Sequence, residues 1–468
     1  MHDDLTAVAW ESVDDDGVTD AEVTMGPGEY PIGGPAAALA ARVRAGTITP
    51  ADVVTEALAR ISSENRKINA FTVVRADRAR AEARELAARD DLDELPLAGV
   101  PVAVKQNIAV AGEPTRAGSA ATSTSDESVD HPVVARLRAA GAIVVGLTAM
   151  PELGIWGSTD EDGRVTRNPR DVGRSAGGSS GGAAAAVAAG LVPIAHGNDG
   201  LGSIRVPAAA CGVFGIKPGR QVVPSAIGAD SWAGLAENGV LATTVSDAAL
   251  ALSVLAGRSD LAELRAPQRL RIGLAVAPPS RLVRMDRHWT AAARTAGARA
   301  AAAGHQVEPV ELPYGDAALA MLLRWPTAGL ADAARLPNPD LLQPRTRRHL
   351  ALGRLIRRLR LVRPDQVDRT EARMLEFFED FDVVITPTLA APPPKARQWS
   401  RRGWAANVIS SVRYAPFTGL WNLIGWPAAS VPMGVHPEAH TPLAAQLAGP
   451  PGSEASLLGL AAQLELSN

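Results

Sequence analysis

Gly173-Arg174-Ser175-Ala176-Gly177-Gly178-Ser179-Ser180-Gly181-Gly182, an alanine-rich run, Val192 to His196, and then Gly197-Asn198-Asp199-Gly200-Leu201-Gly202-Ser203 form the most informative stretch of this chain. Glycine and serine runs taken alone read as flexible linkers. A linker is not followed at once by a helix-forming run and a second glycine-rich turn, so residues 173 to 203 read as two ordered turns around a helix. Working outward, Gly99 to Val104 reads as a buried strand leading into Lys105, and Ala142 to Leu147 as another after a helix from about Val133 to Ala140. Thr49-Pro50-Ala51-Asp52 has the form of a helix N-cap with proline in the first turn, followed by apolar residues at Val53, Val54, Ala57, Leu58 and Ile61. Asp382 to Thr388 reads as a strand, and Ala428 to Pro432 as the last element of the same sheet. Strands alternating with helices predict an α/β fold.

A chain of 468 residues, 46% of them apolar, can bury one large core or two ordinary ones. Residues 1 to about 30 are acidic and glycine-rich without periodicity, which predicts a mobile or loosely packed arm ahead of the domain at 31–468. Residues from about 255 to 400 are richer in arginine and proline and read as a less regular, substrate-side elaboration. Within them, Arg345 to Arg363 places Leu350, Leu352, Leu355, Ile356, Leu359 and Leu361 among many arginines, the pattern of an amphipathic basic helix whose basic face is solvated.

The net charge of -3 leaves no electrostatic footprint for nucleic acid, and small molecules are the expected partners. The single cysteine, Cys211, excludes an internal disulfide framework, suits a reducing cytoplasm and reads as core filling rather than as a nucleophile. The acidic N-terminus lacks the basic-then-apolar form of a secretion signal, and no run is long enough for a membrane span. Of the 47 Lys and Arg residues, only Lys67, Lys105, Lys217 and Lys395 are lysines. A lysine inside an apolar run therefore stands out, because buried lysine can lose its proton and arginine cannot.

Two glycine-rich turns presenting hydroxyls carry the materials of acyl transfer: a serine nucleophile, and main-chain N–H groups that can approach an oxyanion unobstructed. The phosphate-binding patterns GxxxxGK[ST] and GxGxxG are both missing from the chain. His196, seven residues before Ser203, is one candidate base. Val102-Ala103-Val104-Lys105 and Gly215-Ile216-Lys217-Pro218 each put a lysine in an apolar setting that would depress its pKa, and spacing alone does not choose between them. His436 and His440 have i, i+4 spacing, but Pro437 opposes the helix that would align them, so no metal site is expected.

The chain resembles the amidase signature family. The likeness lies in Gly99 to Lys105, Gly177 to Gly182, Asp199 to Ala209, Cys211 to Pro218, Asp382 to Thr388 and Asn422 to Gly434, and so spans roughly residues 35 to 465. It implies a single large domain with a twisted mixed sheet covered by helices, and hydrolysis of a carboxamide through an acyl-serine, without cofactor. It places a catalytic lysine at Lys105, a bridging serine at Ser179 with a cis peptide before it, and the nucleophile at Ser203. The oxyanion hole falls on the amides of Gly200, Leu201, Gly202 and Ser203, with Ser180, Asp199 and Arg205 in support. Trp156, Leu201, Asn198, Trp404 and Trp426 are the candidates for the substrate pocket.

Three positions depart from the family's pattern: Gln106 for aspartate, Leu201 for glycine and Leu147 for lysine. Leu201 would limit φ and narrow the site. Two rival readings remain: the A subunit of a tRNA-dependent amidotransferase, against which Val206 stands where glutamine is common, and a catalytically silent binding protein. Substrate identity and a homodimeric state are left open.

Overall fold

Thr49 begins a helix as its surroundings dictate. In the computed structural model, which describes residues 36–161 and 163–466, its hydroxyl accepts the Asp52 N–H at 3.1 Å while the Asp52 carboxylate accepts the Thr49 N–H at 3.1 Å. With Pro50 pre-setting φ, this reciprocal cap starts α1 (Pro50–Ile68), whose buried stripe includes Val53, Val54, Ala57, Leu58 and Ile61. The acidic arm expected over residues 1–30 lies outside the described residues.

Among the described residues, eleven strands form one mixed sheet. They are β1 (Phe71–Val74), β2 (Pro101–Lys105), β3 (Ile143–Thr148), β4 (Ile194–Asp199), β5 (Phe214–Lys217), β6 (Glu237–Ala242), β7 (Arg271–Leu274), β8 (Gln306–Pro309), β9 (Val383–Pro387), β10 (Ala428–Val435) and β11 (Pro442–Ala448). Their spatial order is β1-β3-β2-β4-β6-β5-β10-β11-β9-β7-β8. The single α/β domain expected from the motifs is present. β2 runs parallel to both β3 and β4, so the C-terminal ends of β2 and β4 open on the same edge. Lys105 ends one strand and Asp199 the other. The glycine turn after β4 therefore emerges beside the lysine, on the edge where parallel strands leave room for a ligand.

Three expectations need correction. Ala428 to Pro432 lies in β10 but is not the last strand, because β11 follows and inserts between β10 and β9. Its small, wholly buried residues erase the alternation by which a strand is recognised. The region from 255 to 400 is more regular than its composition suggests, supplying β7, β8, β9 and a helix over Pro344–Arg358. That helix buries Leu350 and Ile356, together with Arg345, Thr346 and His349. Leu355, Leu359 and Leu361 of the expected apolar stripe are exposed instead.

The alanine-rich run forms α2 (Gly181–Ala188), buried over its first seven residues. Small side chains let its backbone rest on the sheet: a Cβ on Gly182 would lie 2.4 Å from Ala149 N and 2.5 Å from Ala70 O. Gly182→Ala should therefore lower the unfolding temperature by several degrees, overpacking of this kind costing about 1–3 kcal/mol. An unchanged thermal melt would show that the helix can lift without cost.

Candidate active site

Lys105 is fully buried at the end of β2. Its Nζ lies 2.8 Å from Ser179 Oγ, 2.8 Å from Asn198 Oδ1 and 3.3 Å from Asn198 O. Burial pushes its pKa down to about 7, with the Asp199 charge pulling partly the other way. Neutral lysine carries two N–H bonds and one lone pair. The two Asn198 oxygens can accept both N–H bonds, which leaves the lone pair facing the Ser179 hydroxyl. Asn107 fixes the Asn198 amide by exchange: Asn198 Nδ2 donates to Asn107 Oδ1 at 2.8 Å, and Asn107 Nδ2 donates to Asn198 Oδ1 at 3.2 Å.

Burial treats Lys217 alike, lowering it to about 7. Geometry separates the two lysines. Lys217 Nζ donates to Pro218 O at 2.9 Å and Trp426 O at 2.7 Å, both main-chain carbonyls. His196 is also placed away from a base's role. Its Nδ1 accepts the Lys105 N–H at 3.4 Å, so Nε2 carries the proton and donates to Asn238 Oδ1 at 2.9 Å. Both ring nitrogens are engaged, and burial lowers the ring's pKa to about 3. Cys211 is buried and free, its thiol pushed up by desolvation, and fills core.

Gln106, on the opposite face of the chain from Lys105, donates to Glu161 Oε2 at 2.5 Å and accepts from Thr72 Oγ1 at 3.3 Å. Neither of these partners is the lysine amine, whose hydrogen bonds go to Ser179 and Asn198. Leu147 is core.

The turn after β4 is fixed by one buried ion pair. Arg205, on the short helix α3 (Arg205–Cys211), reaches back to Asp199 with Nε to Oδ2 at 3.0 Å and Nη2 to Oδ1 at 3.0 Å. Burial opposes the Asp199 charge, but Arg205, together with Lys217 and the Ile204 N–H, holds the carboxyl well below the usual range. The same carboxylate accepts the N–H groups of Gly202 at 2.5 Å and Ile204 at 3.1 Å. Arg205 also binds Thr418 O, Gln446 Oε1 and Asn422 Oδ1, while Asn422 Nδ2 donates to Asp199 O at 2.6 Å. Ser180 supports the turn from the other side, its N–H on Ser203 O at 3.1 Å and its hydroxyl on Asn198 O at 3.2 Å.

The steric concern over Leu201 falls elsewhere. Gly202 holds the left-handed φ of +123° and Leu201 does not, while a Cβ on Gly202 would lie 2.2 Å from Thr418 Oγ1. Leu201 is half-buried and anchored through its carbonyl to the Thr418 hydroxyl at 2.7 Å. Because the Gly202 amide is taken by Asp199, it is not free for an oxyanion as expected. The amides of Gly200, Leu201 and Ser203 have no acceptor among the described residues. The Gly178–Ser179 peptide is cis.

Ser179, Ser203, Asn198 and Asn107 face one small cavity with Trp232 and Ile227. Trp156, Trp404 and Trp426 are not part of it. Trp156 is buried with Nε1 on Thr346 Oγ1 at 3.3 Å, Trp404 binds His349 Nδ1 at 3.1 Å, and Trp426 is core with Nε1 on Glu371 at 3.2 Å. Sequence reading missed Trp232, one of nine tryptophans with nothing to mark it, and Asn107, two residues beyond the lysine.

A family profile for amidases matches residues 52–458. AmiB2 of Mycobacterium tuberculosis is 40% identical over 442 residues, covering 92% of this chain and 95% of that one. The chain belongs to the amidase family. An acylamidase of Rhodococcus erythropolis is 32% identical over 454 residues, covering 91% of this amidase and 94% of its own length. Among solved structures, a 6-aminohexanoate cyclic dimer hydrolase superposes with a TM-score of 0.83 at 29% identity, over 92% of this chain and 96% of that one. Family and fold are those the motifs led us to expect.

Among the described residues, Asp286, His288 and His436 bring potential metal ligands within 4.8 Å of one another. His436 Nδ1 accepts the N–H groups of Glu438 and Ala439, so its proton sits on Nε2 and donates to Asp286 Oδ2 at 3.1 Å. The group is thus closed as a hydrogen-bonded network just past the end of β10.

Arg205→Ala would leave the Asp199 carboxylate buried without its partner, a change that costs about 3–5 kcal/mol. Chemical denaturation should register that loss. Wild-type stability in this variant would mean that the ion pair does not brace the turn.

Proposed function

We propose that this amidase cleaves a small carboxamide through an acyl-Ser203 intermediate, with Ser179 and Lys105 moving the proton. Ser203 Oγ attacks the carbonyl carbon and passes its proton to Ser179 Oγ as Ser179 hands its own to Lys105 Nζ. The N–H groups of Gly200, Leu201 and Ser203 receive the negative charge that develops on the carbonyl oxygen. As the C–N bond breaks, the proton returns from Lys105 through Ser179 to the leaving nitrogen, and ammonia or an amine departs. Water then repeats the cycle on the acyl-enzyme and releases the acid. The observation that carries this reading is the Lys105 Nζ to Ser179 Oγ distance of 2.8 Å at a cavity that also holds Ser203.

The likeness to an acylamidase and to a cyclic dimer hydrolase supports an amide as the scissile group. A single free cysteine fits a reducing compartment such as the cytoplasm.

A base with a pKa lowered to about 7 works only when it is unprotonated, so kcat/KM for an amide should rise with pH through about 7 and then level. Lys105→Ala should remove that acid limb and most amide turnover, while activated esters, whose leaving groups need no proton, suffer less. A folded Lys217→Ala enzyme should keep the limb. If Lys217→Ala proves as damaging as Lys105→Ala, the base is misassigned.

Ser203 should be the residue modified by a fluorophosphonate probe, and Ser203→Ala should abolish both labelling and turnover. Mapping of the adduct to Ser179 or Cys211 by mass spectrometry would overturn the assignment.

Asn198→Asp offers a sharper probe of the lysine. A carboxylate 2.8 Å from Nζ would favour the ammonium, so the acid limb should move up by at least about one pH unit. An unmoved limb would remove Asn198 from its place beside the base.

A further inference from the structure

The loop between β5 and β6 supplies three faces of the cavity, Ile227, Trp232 and Ala236. It is held along its length. Asn238 Nδ2 donates to Pro224 O at 2.7 Å and Ser225 O at 2.8 Å, Asp332 Oδ1 accepts the Ala229 N–H at 2.6 Å, and Asn422 Nδ2 donates to Leu235 O at 3.1 Å. Ser231, Trp232 and Ala233 all carry left-handed φ, at 51°, 58° and 54°. A bulky residue does not adopt that conformation by its own preference, and a short run of such residues points to a position imposed by the surroundings.

What this imposes is a tryptophan ring against the glycine turn. A Cβ on Gly200 would lie 2.7 Å from Trp232 Cε3, and Trp232 is only 7% exposed. The free space left at the cavity is about 10 Å³, room for about one water. Ser179 Oγ neighbours Gly154, 3.4 Å from where a Cβ there would sit, whereas Trp232 is packed against Gly200. In the reaction proposed above, the leaving nitrogen must approach Ser179 to receive its proton. The acyl group then lies away from Ser179, toward the apolar wall.

We infer that Trp232 is the specificity-determining residue for the acyl group, restricting this amidase to amides of short, apolar acids. The inference rests on the Ser203 reading of the same site. Removing the indole opens space beside Gly200 without touching the groups that move protons, so long acyl chains should gain relative to short ones.

Two substrate series test this: anilides of acetic, butyric, hexanoic and octanoic acids, and butyramides of ammonia, methylamine and aniline. In wild type, kcat/KM should fall along the acyl series. In Trp232→Ala the octanoyl-to-acetyl ratio of kcat/KM should rise about tenfold or more, the scale on which an apolar pocket discriminates, with Trp232→Leu between. The amine series should keep its wild-type order and ratios. A flat acyl ratio in variants whose Ser203 still takes the fluorophosphonate overturns the inference, as does a shift confined to the amine series. Should Trp232→Ala fail to fold, the same graded rise must appear in Trp232→Leu and Trp232→Phe, and its lack there overturns it equally. Failure of wild type both to label at Ser203 and to cleave any amide would sink the catalytic reading itself, which keeps the two failures distinct.

Discussion

A lysine amine in the core with no carboxylate of its own is the constraint on which the site depends. Asp199, a fully buried carboxylate, is close enough to raise the Lys105 pKa. Burial nevertheless outweighs it at Lys105. Arg205 takes both Asp199 oxygens, and the turn's N–H groups occupy what remains. The arginine-for-lysine economy of the sequence then makes sense at this spot. A guanidinium keeps its charge when buried and can neutralise Asp199, whereas the amine is free to give up its proton.

The same carboxylate shapes the turn proposed to hold the oxyanion. By drawing in the Gly202 and Ile204 amides, Asp199 turns the chain so that the Gly200, Leu201 and Ser203 amides are left without acceptors among the described residues. Glycine is needed where φ is left-handed and Thr418 presses close, at Gly202, and where Trp232 presses close, at Gly200. Position 201 meets neither demand, which is why leucine can stand there. A departure from the family pattern that looks threatening in sequence is thus accommodated by where the backbone actually bends.

Much of the fold was legible in the sequence. The motifs around Lys105, Ser179 and Ser203 are written in unusual residue types: paired glycine turns, one of four lysines, a helix of alanines. Strands β2, β3 and β9 follow from continuous apolar runs. The rest failed for physical reasons. Asn107, Asn422 and Gln446 act through side-chain hydrogen bonds to residues distant in sequence, which leave no periodic trace. Strand β11 is too small-residued to alternate. The tryptophans misled because large aromatics fill cores more often than they line pockets: Trp156 and Trp426 are buried under neighbouring rings, Trp156 against Trp325 and Trp426 against Phe378. Trp232 reaches the cavity through a run of left-handed residues that no propensity would assign to it.

Two buried histidines meet at the loop between β5 and β6, one of them reaching back to Lys105. Lys105 N–H binds His196 Nδ1, His196 Nε2 donates to Asn238, and Asn238 holds the carbonyls of Pro224 and Ser225. His131 reaches the same Ser225 carbonyl with Nε2 at 3.0 Å, its Nδ1 accepting the Val133 N–H. Burial shifts both rings away from protonation. A charged imidazole here would turn an acceptor nitrogen into a donor and break the Lys105 or Val133 contact, releasing one end of the wall. Burial disfavours the charged form of both rings and so preserves the contacts that run from the Lys105 N–H to the carbonyls of Pro224 and Ser225.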